Sequence, residues 1–210
     1  MKSFLFTIAT IMLSSSLSAI AQQKPTYLLV HGAWGGGWAF KKTDSIMSKH
    51  GKEVYRASLT GQGERVHLNS TDIDLSTHIK DVVNMILYDK LENVILIGHS
   101  YGGMVITGVA DSIPERIKKL VFLDAILPND GESLATSRGS GVSGPEHSAK
   151  DGFMVPHWVK PDTEAPKDVQ QSIKTFTQAV TFKKSAALKI PATYILTVDP
   201  GKKPDGDGFY

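Results

Sequence analysis

Apolar and polar positions change their spacing several times along this chain, and each change predicts an element. "TYLLV", Thr26 to Val30, is a short apolar run of strand type, and "EVYRAS", Glu53 to Ser58, alternates like one. Between them Trp38 to His50 reads as a helix. From Asp74 onward Ile79, Val82, Val83, Ile86 and Leu87 recur at helical spacing and predict an amphipathic helix. "NVILIGH", Asn93 to His99, is almost wholly apolar, as a strand covered on both faces is. "GMVITGVADS" follows as a buried helix, "KKLVFLDA" as the next strand and "PATYILTV", Pro191 to Val198, as the last. Alternating strands and helices predict a parallel sheet with crossover helices.

The stretch from Leu127 to Lys189 breaks this rhythm. It holds "RGSGVSGPEHS" and "HWVKPDTEAPKD", then a helical patch near Asp168 to Val180. A structureless loop of that length is improbable in a compact domain, so a cap inserted at about residues 127–189 is expected.

Composition narrows the class. The chain has 210 residues, 41% hydrophobic and 21% charged, with a formal net charge of +2. That predicts one globular domain, and the charge is too small to point to nucleic acid. There is no cysteine, which excludes disulfides, a thiol nucleophile and thiolate metal sites. The N-terminus carries Lys2, an apolar stretch from Phe4 to Leu13 and small residues up to Ala19-Ile20-Ala21. This is the layout of a signal peptide over residues 1–21, too short in its apolar part to span a bilayer. The expectation is an exported protein, periplasmic or secreted, whose domain is residues 22–210 and which has no membrane anchor after cleavage.

Chemistry concentrates in "GHSYG", Gly98 to Gly102. It fits the G-x-S-x-G nucleophile elbow, in which a sharp strand-to-helix turn exposes a strained serine, here Ser100. The context this motif requires is present: an apolar strand before it and a helix after. Acyl transfer also needs two N–H donors aimed at the developing oxyanion. Tyr101, the residue after the serine, supplies one. The glycine-rich "VHGAWGGGW" after the first strand is placed to supply the other, and it lacks the Gly-Lys-Ser/Thr of a phosphate loop.

"LLVHGAWGGGW", "LTGQGERVHL", "DLSTHIKDVVNMI", "VILIGHSYGGMVITGVAD" and "KKLVFLDAILPNDGES" together resemble the α/β-hydrolase superfamily. Within it they are similar to small carboxylesterases related to plant methylesterases and hydroxynitrile lyases, and to bacterial esterases that include pyrethroid-cleaving enzymes. The resemblance fades through the presumed cap and returns at "IPATYILTVD". It implies an α/β fold with a mostly parallel sheet, helices on both faces and an inserted cap. It also implies Ser100 as nucleophile, the amides of Ala33 and Tyr101 as the oxyanion hole, and no metal or organic cofactor. The lyase branch carries threonine where this chain has Gly32, which favours ester hydrolysis.

In this fold the triad runs serine, acid, histidine along the chain. Asp199, just past the last strand, is the expected acid, with Asp124 the alternative; a merely structural aspartate is the competing reading of each. No histidine follows Asp199. The expected base is therefore absent, and the fold is expected to lack its last strand and helix, roughly 30 further residues by average element length. The chain is either a piece of an active enzyme or a weak one, or another histidine substitutes. His157 after Asp124 keeps the chain order, although it falls in the cap. His31 and His99 are expected to be structural, His67 and His78 surface or loop residues, His50 a helix end, and His147 a loop residue.

The function expected is carboxylic-ester hydrolysis through an acyl-enzyme on Ser100, weak or absent in a chain of this length. The partner is a small to medium apolar ester, lined by residues such as those of "FMVPHW". A non-catalytic small-molecule binding protein on the same fold is the main alternative, and a hydroxynitrile lyase the lesser one.

Overall fold

The computed structural model describes residues 24–137, 149–183, 185–198 and 200–201. The expected signal peptide, His147 and Asp199 lie outside the described residues. A five-stranded sheet organises the chain: β1 (Thr26–Val30), β2 (Glu53–Ala57), β3 (Val94–His99), β4 (Ile117–Leu123) and β8 (Ala192–Ile195). Its order is β2-β1-β3-β4-β8 and every pair is parallel. Parallel neighbours need crossovers, and these are the helices α1 (Lys41–Lys49), α2 (Leu75–Tyr88) and α3 (Gly102–Ser112). The right-handed crossover rule sends α1 to one face of the sheet, and α2 and α3 to the other.

The two faces are covered unequally. Leu28, Val30, Leu96, Leu120 and Phe122 point toward α3 and are buried. α3 is enclosed on every side: all its residues from Gly102 to Asp111 are buried. On the opposite face Ile95, Ile97, Val121 and Leu123 are only partly buried among the described residues, and Ile195 is 46% exposed. α1 lies over β2 instead of β3 and β4. β3 is thus buried on one face and half-buried on the other, less than its apolar run implies.

α2 starts where expected. Asp74 is its N-cap, its carboxylate accepting from Thr77 N–H at 2.8 Å, which satisfies one of the helix's free amides. Its buried stripe is Leu75, His78, Val82 and Ile86, with Ile79 and Val83 packed beside it. Leu87, expected on that stripe, is 43% exposed. His78, expected at the surface, is fully buried, for a reason given below.

The segment between β4 and β8 has its own small antiparallel sheet, β5 (Ala149–Lys150), β6 (Phe153–Met154) and β7 (Gln171–Ser172), and a short helix α4 (Lys174–Thr177). The helix expected over Asp168–Val180 is therefore reduced to four residues. Gln171 and Ser172 pair with Met154 and Phe153 instead, and this pairing competes with helix.

Candidate active site

The turn between β3 and α3 is tight. A Cβ at Gly98 would lie 2.6 Å from the Gly102 carbonyl oxygen, and one at Gly103 would lie 2.0 Å from that of Ile126. Only glycine lets the strand, the helix and the segment after β4 meet this closely. Between them Ser100 has φ +52°, a left-handed conformation that side chains rarely adopt. The surroundings hold it there. Ser100 N–H donates to the Asp124 carbonyl at 3.2 Å, and its own carbonyl accepts from Ile126 N–H and Gly103 N–H, both at 3.0 Å. α3 begins immediately afterwards and turns its positive end toward the serine.

The loop after β1 runs alongside. A Cβ at Gly32 would sit 3.0 Å from Ser100 Cβ and 3.1 Å from His99 Nδ1, so any larger residue there presses directly on the elbow. Ala33 is half-buried and Tyr101 fully buried. Among the described residues neither backbone N–H donates to a protein acceptor, whereas the next amide, that of Trp34, does. Trp34 has φ +63° and is gripped by the segment between β4 and β8. Its N–H donates to Gln171 Oε1 at 2.8 Å, its indole N–H to the Met154 carbonyl at 3.0 Å, and its carbonyl accepts from Val169 N–H at 2.9 Å.

Each histidine near the site has a distinct state. His31 is buried. Its Nδ1 faces the Gly32 carbonyl at 2.7 Å and its Nε2 accepts from Leu59 N–H at 3.1 Å, so both nitrogens are occupied by the neutral ring. Burial pushes its pKa down to about 4, against the opposing pull of the Gly32 carbonyl. His78 is equally enclosed, with Nε2–H donating to the Thr60 carbonyl at 3.0 Å and Nδ1 accepting from the Tyr101 hydroxyl at 2.9 Å. Burial lowers its pKa and holds it neutral too, and burial raises that of Tyr101. These two hydrogen bonds are why His78 occupies the buried stripe of α2: a neutral imidazole with both nitrogens satisfied costs little to bury. His99 stands at the exposed end of β3 with its ring edge-on to Phe40, and the buried part of that ring lowers its pKa. His50 caps α1, its Nδ1 2.8 Å from the Ile46 carbonyl, as a helix end should. His67 is exposed. His157 is exposed in the turn closed by Val159 N–H on the Pro156 carbonyl, and no hydrogen bond joins it to Ser100 or Asp124 among the described residues.

Asp124 ends β4 with φ +47°. Its carboxylate accepts from Thr197 N–H at 3.3 Å and from the Thr197 hydroxyl, and its own N–H donates to the Ile195 carbonyl at 2.8 Å. The residue thus ties the end of β8 to the elbow. Gln171 and Thr175 are the residues at this site that the sequence pattern did not mark. Lone polar residues in a Ser/Thr/Gln-rich stretch carry no periodicity to find them by.

A family model described as the alpha/beta hydrolase family matches residues 27–207. The chain belongs to the alpha/beta hydrolase family. Among its relatives is a carbendazim hydrolyzing esterase of Nocardioides sp. (strain SG-4G), 51% identical over 108 residues, which are 51% of this chain and 45% of that protein. Polyneuridine aldehyde esterase of Rauvolfia serpentina is 32% identical over 120 residues, 56% of this chain and 45% of the other. This chain's match therefore spans just under half the length of either esterase. Among solved structures, an extracellular alpha/beta-hydrolase from a Paenibacillus species superposes with a TM-score of 0.69 at 27% identity. It covers 80% of this chain and 76% of that one, and is described as sharing structural and functional homology with tobacco salicylic acid binding protein 2. The alpha/beta hydrolase frame of the described residues comprises the parallel sheet, the strand-to-helix turn at Ser100 and the long segment inserted after β4.

Proposed function

We propose that this chain is a serine hydrolase that cleaves small, apolar carboxylic esters. Ser100 Oγ attacks the ester carbonyl carbon, and the oxyanion is received by the N–H groups of Ala33 and Tyr101. The C–O bond to the alcohol breaks, the serine proton passes through a base to the leaving alkoxide, and water then frees the acid from Ser100. Asp199 is the proposed acid of the triad and Asp124 its alternative. Asp124's hold on Thr197 favours the structural reading of that residue. The segment over residues 127–189 is proposed as the cap over the ester. The observation that carries this reading is a serine at φ +52° beside two backbone amides with no protein acceptor among the described residues.

The test is labelling with a fluorophosphonate probe, followed by mass spectrometry, alongside hydrolysis of p-nitrophenyl acetate by the chain and its Ser100→Ala variant. Label on Ser100 and turnover that disappears in the variant are expected. Label on another serine sinks the assignment. His157→Ala, carried in parallel, decides whether the insert supplies the base.

A non-catalytic binding protein is the second reading. It is favoured by one observation: no described histidine hydrogen-bonds the Ser100 hydroxyl. Equal turnover by the chain and Ser100→Ala would support it. We also propose that residues 1–21 are a cleaved signal peptide and that the protein works outside the cytoplasm. The Paenibacillus relative is described as extracellular. N-terminal sequencing is expected to find Gln22 first; a retained Met1 would refute export.

A further inference from the structure

The inserted segment reaches both proposed oxyanion donors through a buried cluster of polar side chains. At one end Gln171 Oε1 accepts from Trp34 N–H at 2.8 Å, one peptide beyond Ala33. Gln171 Nε2 then donates to Thr175 Oγ1 at 2.7 Å. These two bonds require opposite ends of the amide, so the Gln171 side chain fits only one way round. Thr175 Oγ1–H donates in turn to the Ser172 carbonyl at 2.7 Å, and Thr175 lies against Tyr101, whose hydroxyl donates to His78 Nδ1 at 2.9 Å. His78 ends the cluster on the Thr60 carbonyl at 3.0 Å. Gln171, Thr175, Tyr101 and His78 are each 0–1% exposed, so every member was taken out of water to make these bonds. A buried polar cluster with all its partners present holds one arrangement firmly, because any other leaves a donor or acceptor unmade.

The two ends of this cluster fall where backbone conformation is least free. Trp34 has φ +63°, a conformation that persists in an ordinary residue only where its surroundings impose it. Its indole is fixed as well, packed tilted on Phe176 at 5.4 Å between ring centroids, and Phe176 in turn stacks on Tyr101 at 6.0 Å. A rotation of the Trp34 peptide turns the Ala33 amide next to it. A shift of the Tyr101 side chain pulls on the amide that follows Ser100.

We propose that Gln171 and Thr175 are positioning residues: through Trp34 and Tyr101 they aim the Ala33 and Tyr101 amides, so the hole is formed only when the insert is docked. This rests on the reading of those two amides as the oxyanion donors. Neither residue touches the reacting atoms. Their effect is felt where negative charge develops, not where neutral ester binds.

The experiment compares the unmodified chain with Gln171→Ala, Thr175→Val and, as control, Gln178→Ala. Gln178 also ties the insert to the frame, at Ser76, but is remote from that cluster. The first measurement is the ¹H–¹⁵N spectrum and hydrogen exchange of the Ala33, Trp34 and Tyr101 amides. Gln171→Ala is expected to shift all three and speed Trp34 exchange at least tenfold, Thr175→Val to shift Tyr101 most, and Gln178→Ala to shift none. The second is the affinity for phenylboronic acid, which forms a tetrahedral anion on the serine, against that for the neutral ketone acetophenone. Gln171→Ala should weaken the boronate about tenfold, less than the roughly 10²–10³-fold cost of deleting an oxyanion donor outright, and leave the ketone unchanged. Equal weakening of both ligands, or spectra matching those of Gln178→Ala, would overturn the proposal. If the unmodified chain forms no boronate adduct, the nucleophile assignment fails instead, and the amide spectra still decide whether the insert sets the loop.

Discussion

The sheet and the insert are held together by different forces. Between β1 and β4 the contacts are apolar side chains on a hydrogen-bonded backbone: Leu28, Val30, Leu96, Leu120 and Phe122 against α3. Among its described residues the insert has strands of two residues, one four-residue α-helix and a 3-10 turn at Ala187–Lys189; it adds Leu134, Met154, Phe176 and Val180 to the core and is otherwise fastened by polar side chains crossing long sequence distances. Gln171 reaches Trp34, Gln178 reaches Ser76, Ser172 reaches the Thr71 carbonyl at 3.2 Å, and Asn69 reaches back to the Gln170 carbonyl at 2.8 Å. Burial of apolar area is strong and non-directional, while hydrogen bonds are individually weak but fix geometry. The frame therefore supplies most of the buried apolar core, and the insert adds alignment to its smaller share.

Overfilling the frame should have the largest effect. In Gly103→Ala the new methyl meets a backbone carbonyl at 2.0 Å that cannot withdraw without breaking the Ile126–Ser100 hydrogen bond. A loss of at least about 3 kcal/mol, or of cooperative unfolding altogether, is expected in urea titrations. The matching change in the insert, Gly131→Ala, meets nothing within 4 Å and pays only for φ +80°, roughly 1 kcal/mol. Similar losses at the two positions would break the comparison.

Acid should act on the frame next. His31 has a folded pKa of about 4, against 6.5 when unfolded. Above pH 6.5 both states are neutral and the residue adds no pH dependence. As pH falls from 6.5 toward 4 the unfolded chain takes the proton first, and stability drops by about 1.4 kcal/mol per pH unit, roughly 3 kcal/mol in all. His78, shifted the same way, adds to the drop. Urea midpoints at pH 7.5, 6 and 5 measure it; a flat profile would mean that these rings are hydrated.

Cutting a single stitch of the insert should cost least. Gln178→Ala removes the bonds to Ser76 N–H and Oγ, at 2.9 and 2.8 Å, and is expected to lower stability by about 1 kcal/mol. A larger loss would mean that docking of the whole insert, with Leu134, Met154, Phe176 and Val180 in the core, depends on this one stitch.

The same division explains what could be read from the residues alone. β1, β3, β4, α3 and the start of α2 stand out because apolar runs and helical periodicity act locally. The Ser100 turn stands out because its motif is contiguous, although only Gly98 is demanded by a near neighbour, Gly102, while Gly102 and Gly103 are demanded by Val30 and Ile126. His78 was invisible as a buried residue, since nothing in a single histidine tells that a tyrosine hydroxyl 23 positions later will take its Nδ1. Leu87 misleads for the complementary reason: the face of α2 turns so that His78 and not Leu87 is covered. Gln171 acts over 137 positions, on Trp34, and no local pattern encodes such a partner.

The indole pair Trp34 and Trp158 meets edge to face at 5.1 Å, one ring on the frame's loop and the other on the insert. Trp158 is 59% exposed and anchored by its N–H on Asp168 at 2.8 Å, while Trp34 is partly buried. Two indoles so close and so inclined couple their electronic transitions, which leaves a signed pair of bands in circular dichroism. Separation of the rings erases the couplet while the amide signal of the sheet persists. The molecule thus carries a chromophore whose signal depends on the insert's ring staying against the loop's, free of any label and read at a different wavelength from the sheet.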